Sequence, residues 1–193
     1  NPTGSMQDRM AEAVIARAEE SGRLRPGFTV VDYSGGSTGT SLALVCAAKG
    51  YPLRIVTSDA FSQEKRDHMM ALGADLVMVP SENGRTTKAL ILQLIDRARA
   101  LGGEPRTYWV DQLKNADSIA GYEALGEEIW EQTNGAVDAY VQCVGTGASS
   151  RGVVTALRRR GATFRAVAVE PAESSVLRGG VPHPHQIEGV GIG

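Results

Sequence analysis

The chain has 193 residues, of which 42% are hydrophobic, enough to bury a core in one large domain or two small ones. Its net charge of −2 and pI near 6.0 give no sequence-independent attraction to nucleic acid or to an acidic membrane. No apolar run approaches the roughly eighteen residues of a membrane span, and no signal peptide is visible. We therefore expect a soluble, cytoplasmic protein with neither a nucleic-acid nor a membrane partner.

The first half of the chain alternates between predicted helices and strands. Met6, Met10, Ala13 and Val14 recur at helical spacing after Ser5, a candidate cap, which predicts a helix over 5–21. "FTVVDY" (28–33) is typical of a buried strand, and "STGTSLALVCAAKG" predicts a helix that is capped by Ser37 or Thr38 and ends at Gly50. The alternation then continues with predicted strands over 53–58, 75–79 and 107–112 and predicted helices over 62–73 and 86–103.

The second half repeats this alternation over a shorter length. A helix is predicted over 118–133, a strand over 137–144, a helix that runs to Arg160 and a strand over 164–171, followed by a tail with no obvious regular structure. Short strands separated by helices indicate parallel sheets with right-handed crossovers. A soft boundary near Asn115 divides the chain. The prediction is an α/β fold of two three-layer αβα lobes with mainly parallel sheets, over 1–115 and 116–193, the second lobe being incomplete.

The cysteine and histidine patterns do not indicate a metal. Cys46 and Cys143 lie in apolar stretches without CxxC spacing, which favours reduced, buried thiols. "HPH" at 183–185 has a proline between its two histidines and lacks partner ligands, so we interpret it as a loop and predict no metal site.

Two glycine-rich loops each join a strand to a helix: "YSGGSTG" (33–39) and "VGTGASS" (144–150). Glycines let backbone N–H groups turn toward a ligand, and the helix dipole adds positive potential there, although tight turns of this kind also occur without ligands. Gly145, Gly147 and Glu170 have part of the dinucleotide-binding spacing, but Ser150 stands where the third glycine belongs. Two such loops also suit a smaller ligand with an anionic group at each end.

The motifs taken together resemble one enzyme family. "NPTGSMQDR", "GGSTGTSLA", "EALGEEIWEQT", "VDAYVQCVGTGASSRGV", "VEPAESSVLRGG" and "PHQIEGVGIG" stand in the order and at the spacing of the cysteine synthase and cystathionine β-synthase family. These are pyridoxal-phosphate enzymes of the tryptophan-synthase-β fold type, also called fold type II. The resemblance runs from the first residue to the last and is more specific than either glycine loop alone.

The resemblance implies a role for each loop. The second loop is similar to the family's cofactor-phosphate loop, with these residues: Gly145, Thr146, Gly147, Ala148 and Ser149. The first loop is similar to the substrate-carboxylate loop, with these residues: Ser34, Gly35, Gly36, Ser37 and Thr38. Ser37 stands at the family's asparagine that contacts the 3′-oxygen of the cofactor, so we assign it to the cofactor. Gln112 resembles a glutamine that helps to hold the substrate carboxylate.

Position 7 departs from the family pattern. The family carries a lysine there, in "GSxKDR", that forms a Schiff base with the cofactor and later moves the α-proton of the substrate. Gln7 is neither a nucleophile toward an aldehyde nor a base near neutral pH, because its nitrogen lone pair is delocalised. The four lysines present are Lys49, Lys65, Lys88 and Lys114. Of these, the sequence leaves only Lys114, which follows Gln112, as a conceivable substitute.

The resemblance implies a function that this chain performs poorly or not at all. Family members catalyse β-replacement on an activated serine, such as O-acetylserine plus sulfide giving cysteine, and they are usually homodimers. A non-catalytic homologue that binds an amino acid, a phosphate-bearing ligand or a partner protein is the alternative. Family members also extend beyond both ends of this sequence, so we expect a fragment, with pyridoxal phosphate bound non-covalently at most.

Overall fold

The chain divides into two compact units. A computed structural model of the protein describes residues 1–183, 185, 187 and 189–191. Unit 1 is Asn1–Asn115 and unit 2 is Ala116–Gly193. Both are built from parallel strands and helices, so the predicted α/β class is confirmed.

Unit 1 contains a four-stranded parallel sheet. Its strands are β1 (Thr29–Tyr33), β2 (Leu53–Ser58), β3 (Asp75–Val79) and β4 (Thr107–Trp109), in the spatial order β3-β2-β1-β4. In the middle of the sheet Val31 lies opposite Arg54 of β2 and Trp109 of β4. The carboxyl end of the central strand β1 therefore leads into the first glycine loop, flanked by the carboxyl ends of its two neighbours.

Four helices pack on this sheet or on one another: α1 (Gln7–Glu20), α2 (Ser37–Lys49), α3 (Gln63–Ala71) and α4 (Lys88–Gly102). Helix α4 illustrates how a capping residue and regularly spaced apolar side chains favour such a helix. Thr87 caps it by accepting a hydrogen bond from the Leu90 backbone N–H at 3.2 Å. Its apolar residues Leu90, Leu94, Ala98 and Leu101 recur at helical spacing and pack on Val31, Tyr33 and Val56 of the sheet.

Unit 2 has fewer elements in its described part. Helix α5 (Asp117–Gln132), β5 (Ala139–Cys143), α6 (Ala148–Arg159) and β6 (Arg165–Val169) follow one another, and β5 pairs with β6 in parallel. The helices α5 and α6 approach closely because glycines lie between them. A Cβ atom on Gly126 would stand 2.6 Å from Ala156 Cβ. The basic end of α6 pairs with α5, where the Arg159 guanidinium lies 3.2 Å from the Glu123 carboxylate.

Some predictions about local structure are wrong. Ser5 does not cap α1, whose N-cap is Met6, and Ser37 and Thr38 do not cap α2, whose N-cap is Gly36. Cys46 is buried as predicted, and burial raises the pKa of its thiol to about 12, but Cys143 is exposed because it lies on the open face of β5.

The tail also differs from its prediction. It contains two short 3₁₀ turns, Ala172–Ser174 and Val176–Arg178. Among the described residues, none of the helices combines the length and the apolar composition that a membrane crossing requires.

Candidate functional site

The first glycine loop is organised by the hydroxyl of Ser34. Ser34 is buried at the end of β1, and its Oγ accepts hydrogen bonds from the backbone N–H groups of Gly36 at 3.1 Å and Gly39 at 2.9 Å. Ser34 therefore satisfies a donor in the first turn of α2 that the predicted caps Ser37 and Thr38 leave unsatisfied. A hydroxyl residue immediately before two glycines was the available signal for this role.

A row of three side chains from α3 and the loop before it lies against the glycines of this loop. Phe61, Lys65 and Met69 are spaced four residues apart. A Cβ atom on Gly35 would stand 2.7 Å from the Phe61 ring, one on Gly36 would stand 2.6 Å from Lys65 Cδ, and one on Gly39 would stand 2.4 Å from Met69 Sδ. A side chain at any of these three positions would therefore require the facing side chain to shift.

Gln112 lies beside the start of the same loop. Its side-chain Nε2 donates a hydrogen bond of 2.7 Å to the carbonyl oxygen of Tyr33, the residue before Ser34. The structure thus brings together the residues predicted for the substrate carboxylate, Gln112 and the loop over 34–38. The sequence did not indicate that one side-chain N–H of Gln112 already donates a hydrogen bond to the backbone at the end of β1.

Asp32 is a buried acid two residues before Ser34. Its side chain is fully buried, and neither carboxylate oxygen has a hydrogen bond of ordinary geometry to another described residue. Burial raises the pKa of Asp32 to about 8, and the nearby Asp111 carboxylate adds to the rise, whereas the N–H groups of Tyr33, Gln112 and Trp109 oppose it. Sequence reasoning missed this group, although an aspartate inside "TVVDY" was a signal.

Gln7 lies in the first turn of α1, which is fixed to α2 by its neighbour Asp8. Asp8 accepts hydrogen bonds of 2.6 Å from the hydroxyls of both Thr3 and Ser41, the latter one turn beyond Ser37. Burial alone would raise the pKa of Asp8, but the hydrogen bonds from Ser41 and Thr3 outweigh it and lower that pKa. The Gln7 side-chain oxygen accepts a hydrogen bond from the Ser5 hydroxyl. The Gln7 side chain thus contacts the residue two positions before it in the first turn of α1.

The second glycine loop joins β5 to α6 in unit 2. Gly147, with a φ of 80°, is the N-cap of α6, and the Thr146 hydroxyl oxygen accepts from the Ala148 N–H at 3.4 Å. A Cβ atom on Gly145 would stand 2.3 Å from the Gly189 carbonyl oxygen, so the tail packs closely on this loop. The first turn of α6 contains no acidic residue, and within the described residues the buried Ser150 hydroxyl has no hydrogen-bond partner.

The contacts of Glu170 do not support a dinucleotide site. Both oxygens of the Glu170 carboxylate accept hydrogen bonds from backbone N–H groups of the tail. The donors are Leu177, at 2.7 Å, and Arg178, at 3.2 Å. Glu170 is therefore committed to the fold and is not directed toward a ribose. No group of three or more His, Cys, Asp or Glu side chains that could hold a metal ion occurs among the residues that the structure describes.

The fold and the loops define an α/β protein that carries two strand–glycine loop–helix sites suited to anionic groups. The family model described as "Pyridoxal-phosphate dependent enzyme" matches residues 1–193, and the chain belongs to this family. The dinucleotide-binding interpretation is therefore wrong, and the resemblance to the cysteine synthase group is confirmed.

Known relatives agree with this assignment. The chain is 37% identical over 195 residues to cysteine synthase of Staphylococcus aureus, covering 100% of this chain and 61% of the relative. The crystal structure of cysteine synthase from Entamoeba histolytica is similar with a TM-score of 0.91 and 32% identity, covering 100% of this chain and 56% of the other. That of an O-acetylserine dependent cystathionine β-synthase from Helicobacter pylori has a TM-score of 0.88 and 32% identity, covering 99% and 61%. The chain thus spans about three fifths of the length of these relatives.

The residues present fit the anionic part of the family's cofactor but not its covalent attachment. Backbone N–H groups at the start of α6, the orphaned Ser150 hydroxyl and the lack of acidic residues suit a phosphate. Gln7 offers no amine where the family has one. Lys114, the conceivable substitute, is exposed in a turn in which its backbone N–H donates a hydrogen bond to the Asp111 carbonyl oxygen. Lys65 instead lies against the first glycine loop.

Proposed function

We propose that this protein derives from enzymes that catalyse pyridoxal-phosphate-dependent β-replacement on an activated serine, as in O-acetylserine plus sulfide giving cysteine, and that Gln7 disables the reaction. The observation that carries the proposal is the family match over residues 1–193. It is supported by relatives named cysteine synthase and by both glycine loops. When bound, the cofactor supplies an electron sink for the carbanion that forms at the α-carbon of the substrate.

The roles of the residues are part of this proposal. The phosphate of the cofactor binds at Gly145, Thr146, Gly147, Ala148 and Ser149, and Ser37 binds its ring. The substrate carboxylate binds at Ser34, Gly35, Gly36, Thr38 and Gln112. Backbone N–H groups carry most of this binding, because the Ser34 hydroxyl and one Gln112 amide hydrogen are engaged within unit 1.

Gln7 removes both the covalent attachment and the proton transfer. An amide nitrogen does not condense with an aldehyde, and it does not accept the α-proton of the substrate near neutral pH. Loss of a positioned general base alone lowers a rate by roughly a hundredfold to ten-thousandfold. We therefore expect pyridoxal phosphate to bind reversibly and cysteine synthesis to be very slow.

The test restores the amine. Pyridoxal phosphate is added to the protein and to Gln7→Lys, each sample is reduced with borohydride, and peptides are examined by mass spectrometry. We expect a cofactor mass on position 7 in Gln7→Lys alone, together with a rise of about a hundredfold or more in cysteine formation from O-acetyl-L-serine and sulfide. Gln132→Lys, at the exposed end of α5, is the matched control and should acquire no specific label. A folded Gln7→Lys variant without the label contradicts the proposal.

A non-catalytic binding protein is the second candidate. It is favoured by the retention of both glycine loops although Gln7 replaces the family's lysine. Such a homologue would bind an amino acid, a phosphate-bearing ligand or a partner protein through the same loops. It predicts that Gln7→Lys gains the covalent label but no cysteine synthesis.

We also propose a cytoplasmic homodimer. The support is the homodimeric state that the resemblance implies. Apolar side chains that are exposed in unit 2, such as Val141 and Leu177, also favour a dimer. Sedimentation analysis tests the dimer, and a concentration-independent monomer would contradict it.

A further inference from the structure

Asp32 and Ser34 lie on the same face of the extended chain at the end of β1. Alternate residues of a strand share a face and are about 7 Å apart, and Val31 and Tyr33, on the opposite face, pack on α4. The pairing continues past β1, because the Ser34 N–H donates to the Val56 carbonyl oxygen at 3.0 Å. Asp32 is 0% exposed, and neither of its carboxylate oxygens has a hydrogen bond of ordinary geometry to another described residue. An unpaired buried acid therefore lies two residues before the serine that organises the first glycine loop.

The turn after β4 joins Asp32 to the same loop. Asp111 in this turn has a φ of 51°, a left-handed conformation that is uncommon for a residue other than glycine. The backbone N–H of the next residue, Gln112, acts on the Asp32 carboxylate, while its side chain donates to the Tyr33 carbonyl oxygen at 2.7 Å. A charge on Asp32 therefore acts on both segments that form the proposed carboxylate site.

Two titratable groups interact with Asp32. The Asp111 carboxylate repels a negative charge there, and burial together with both carboxylates raises the pKa of Tyr33 to about 12. Strand β2 places the buried Ile55 opposite Asp32, α4 packs on the other face of β1 through apolar side chains, and the first turn of α2 has no acidic residue. The groups that lower the pKa of Asp32 are neutral N–H donors, and none of them is a cation. An ionised Asp32 is therefore poorly compensated.

We propose that the proton on Asp32 controls the substrate-carboxylate site: the loop over 34–38 binds the carboxylate of an amino acid while Asp32 is uncharged and rejects it when Asp32 is ionised. The inference rests on the proposed function and deepens it by naming the residue that makes this site sensitive to pH. A carboxylate on the loop and a second one two residues along the strand repel each other strongly where burial limits screening. Because burial raises the pKa of Asp32 to about 8, the change falls at mildly alkaline pH.

The test measures carboxylate binding against pH in the protein saturated with pyridoxal phosphate. The probe is 3-methoxypropionate, which has no amine and therefore neither condenses with the cofactor nor titrates between pH 6 and pH 9. Its amide is the uncharged comparison. Isothermal titration calorimetry compares the unmodified protein with Asp32→Asn, which is uncharged at every pH, and pyridoxal phosphate affinity is measured for each protein. Asp75→Asn is the matched control, because Asp75 lies in the same sheet with its side chain 72% exposed.

We expect the affinity of the unmodified protein for 3-methoxypropionate to fall about tenfold from pH 6 to pH 9, and that of Asp32→Asn to change by less than about twofold. The amide should bind equally at both pH values, and Asp75→Asn should follow the unmodified protein. At pH 8, binding of the acid should take up about half a proton in the unmodified protein and none in Asp32→Asn, because the bound anion raises the pKa of Asp32 further. Calorimetry in buffers of different ionisation enthalpy measures this uptake.

A second variant, Asp111→Asn, decides the question if Asp32→Asn does not fold. Asparagine tolerates the left-handed conformation of residue 111, so this variant should keep the turn. It removes a negative charge that contributes to the raised pKa of Asp32. The fall in affinity for 3-methoxypropionate should therefore shift to lower pH, and an unchanged or higher midpoint would contradict the inference.

Three further results would overturn the inference in distinguishable ways. Equal pH dependence and equal proton uptake in Asp32→Asn and the unmodified protein refute the role of Asp32 and leave the proposed function intact. If pyridoxal phosphate binds but 3-methoxypropionate does not bind at pH 6, the loop does not recognise a carboxylate and the inference fails, while the cofactor assignment stands. If neither binds, the proposed function fails and this inference fails with it.

Discussion

Asp32, a buried acid in the central strand β1, makes the stability of the protein depend on pH. Because the folded protein holds the pKa of Asp32 at about 8 and the unfolded chain has an ordinary carboxyl, the native state retains a proton that the unfolded state loses between about pH 4 and pH 8. The contribution of this group to stability is therefore fully present below pH 4 and is lost as the pH rises through 8. We expect Asp32→Asn to remove this loss.

The measurement is urea unfolding at pH 5, 6, 7 and 8. Asp32→Asn should reduce the fall in the free energy of unfolding by about 1 kcal/mol per pH unit and should be more stable than the unmodified protein at pH 8. Asp138→Asn, an exposed aspartate before β5, is the control and should leave the slope unchanged. The same slope in Asp32→Asn would show that Asp32 is ionised in the folded protein.

At the scale of elements, the packing of α5 on α6 depends on two glycines, Gly126 and Gly152. A Cβ atom on Gly152 would stand 2.6 Å from the Ile119 carbonyl oxygen, 2.6 Å from Tyr122 Cβ and 2.9 Å from the Glu123 N atom. Two of these neighbours are backbone atoms, so the helices must separate to admit a methyl group. We expect Gly152→Ala to destabilise unit 2 by about 1–3 kcal/mol, despite the better helix propensity of alanine.

Thermal and urea unfolding, followed by circular dichroism, measure this effect. Gly103→Ala is the matched control, because a Cβ atom there meets its nearest neighbour, the Ala100 carbonyl oxygen, at an ordinary 3.4 Å and its φ is −81°. Gly103→Ala should change stability by less than about 0.5 kcal/mol. Equal stabilities of the two variants would contradict the close approach of α5 and α6.

Local sequence patterns predicted the positions of the strands and helices well, but not the residues that cap the helices. The strands over 53–58 and 75–79 have the predicted bounds, because short apolar runs between turns leave little freedom. Helix α2 begins at Ser37 as predicted, but its predicted cap was wrong, because the Ser34 hydroxyl, outside the helix, accepts the hydrogen bond from the Gly39 N–H. The position of Lys65 over Gly36 could not be predicted either, because it arises when α3 packs on the loop, a contact between segments far apart in sequence. The exposure of Cys143 likewise depends on what covers β5.

At the scale of the whole molecule, the two units differ in how much of their core is buried. In unit 1 the central strands are buried almost throughout, with Val30, Val31, Ile55 and Val56 fully inaccessible. In the described part of unit 2, the buried apolar side chains are those of five residues: Tyr122, Val153, Ala156, Leu157 and Pro171. None of them lies in β5 or β6. The strands of unit 2 therefore have less apolar burial to hold them in place.

Hydrogen exchange measured by mass spectrometry should reveal this difference. Amide exchange from a strand requires local or global opening, and a two-stranded sheet with an exposed face opens more easily than the middle of a four-stranded one. Val141 of β5 is 60% exposed, whereas Val31 of β1 is 0% exposed. We expect peptides from β5 and β6 to exchange about a hundredfold faster than those from β1 and β2, a difference of roughly 3 kcal/mol in opening free energy. Equal protection of the two sheets would mean that a partner surface covers β5 and β6, and dilution would then raise the exchange of these strands alone.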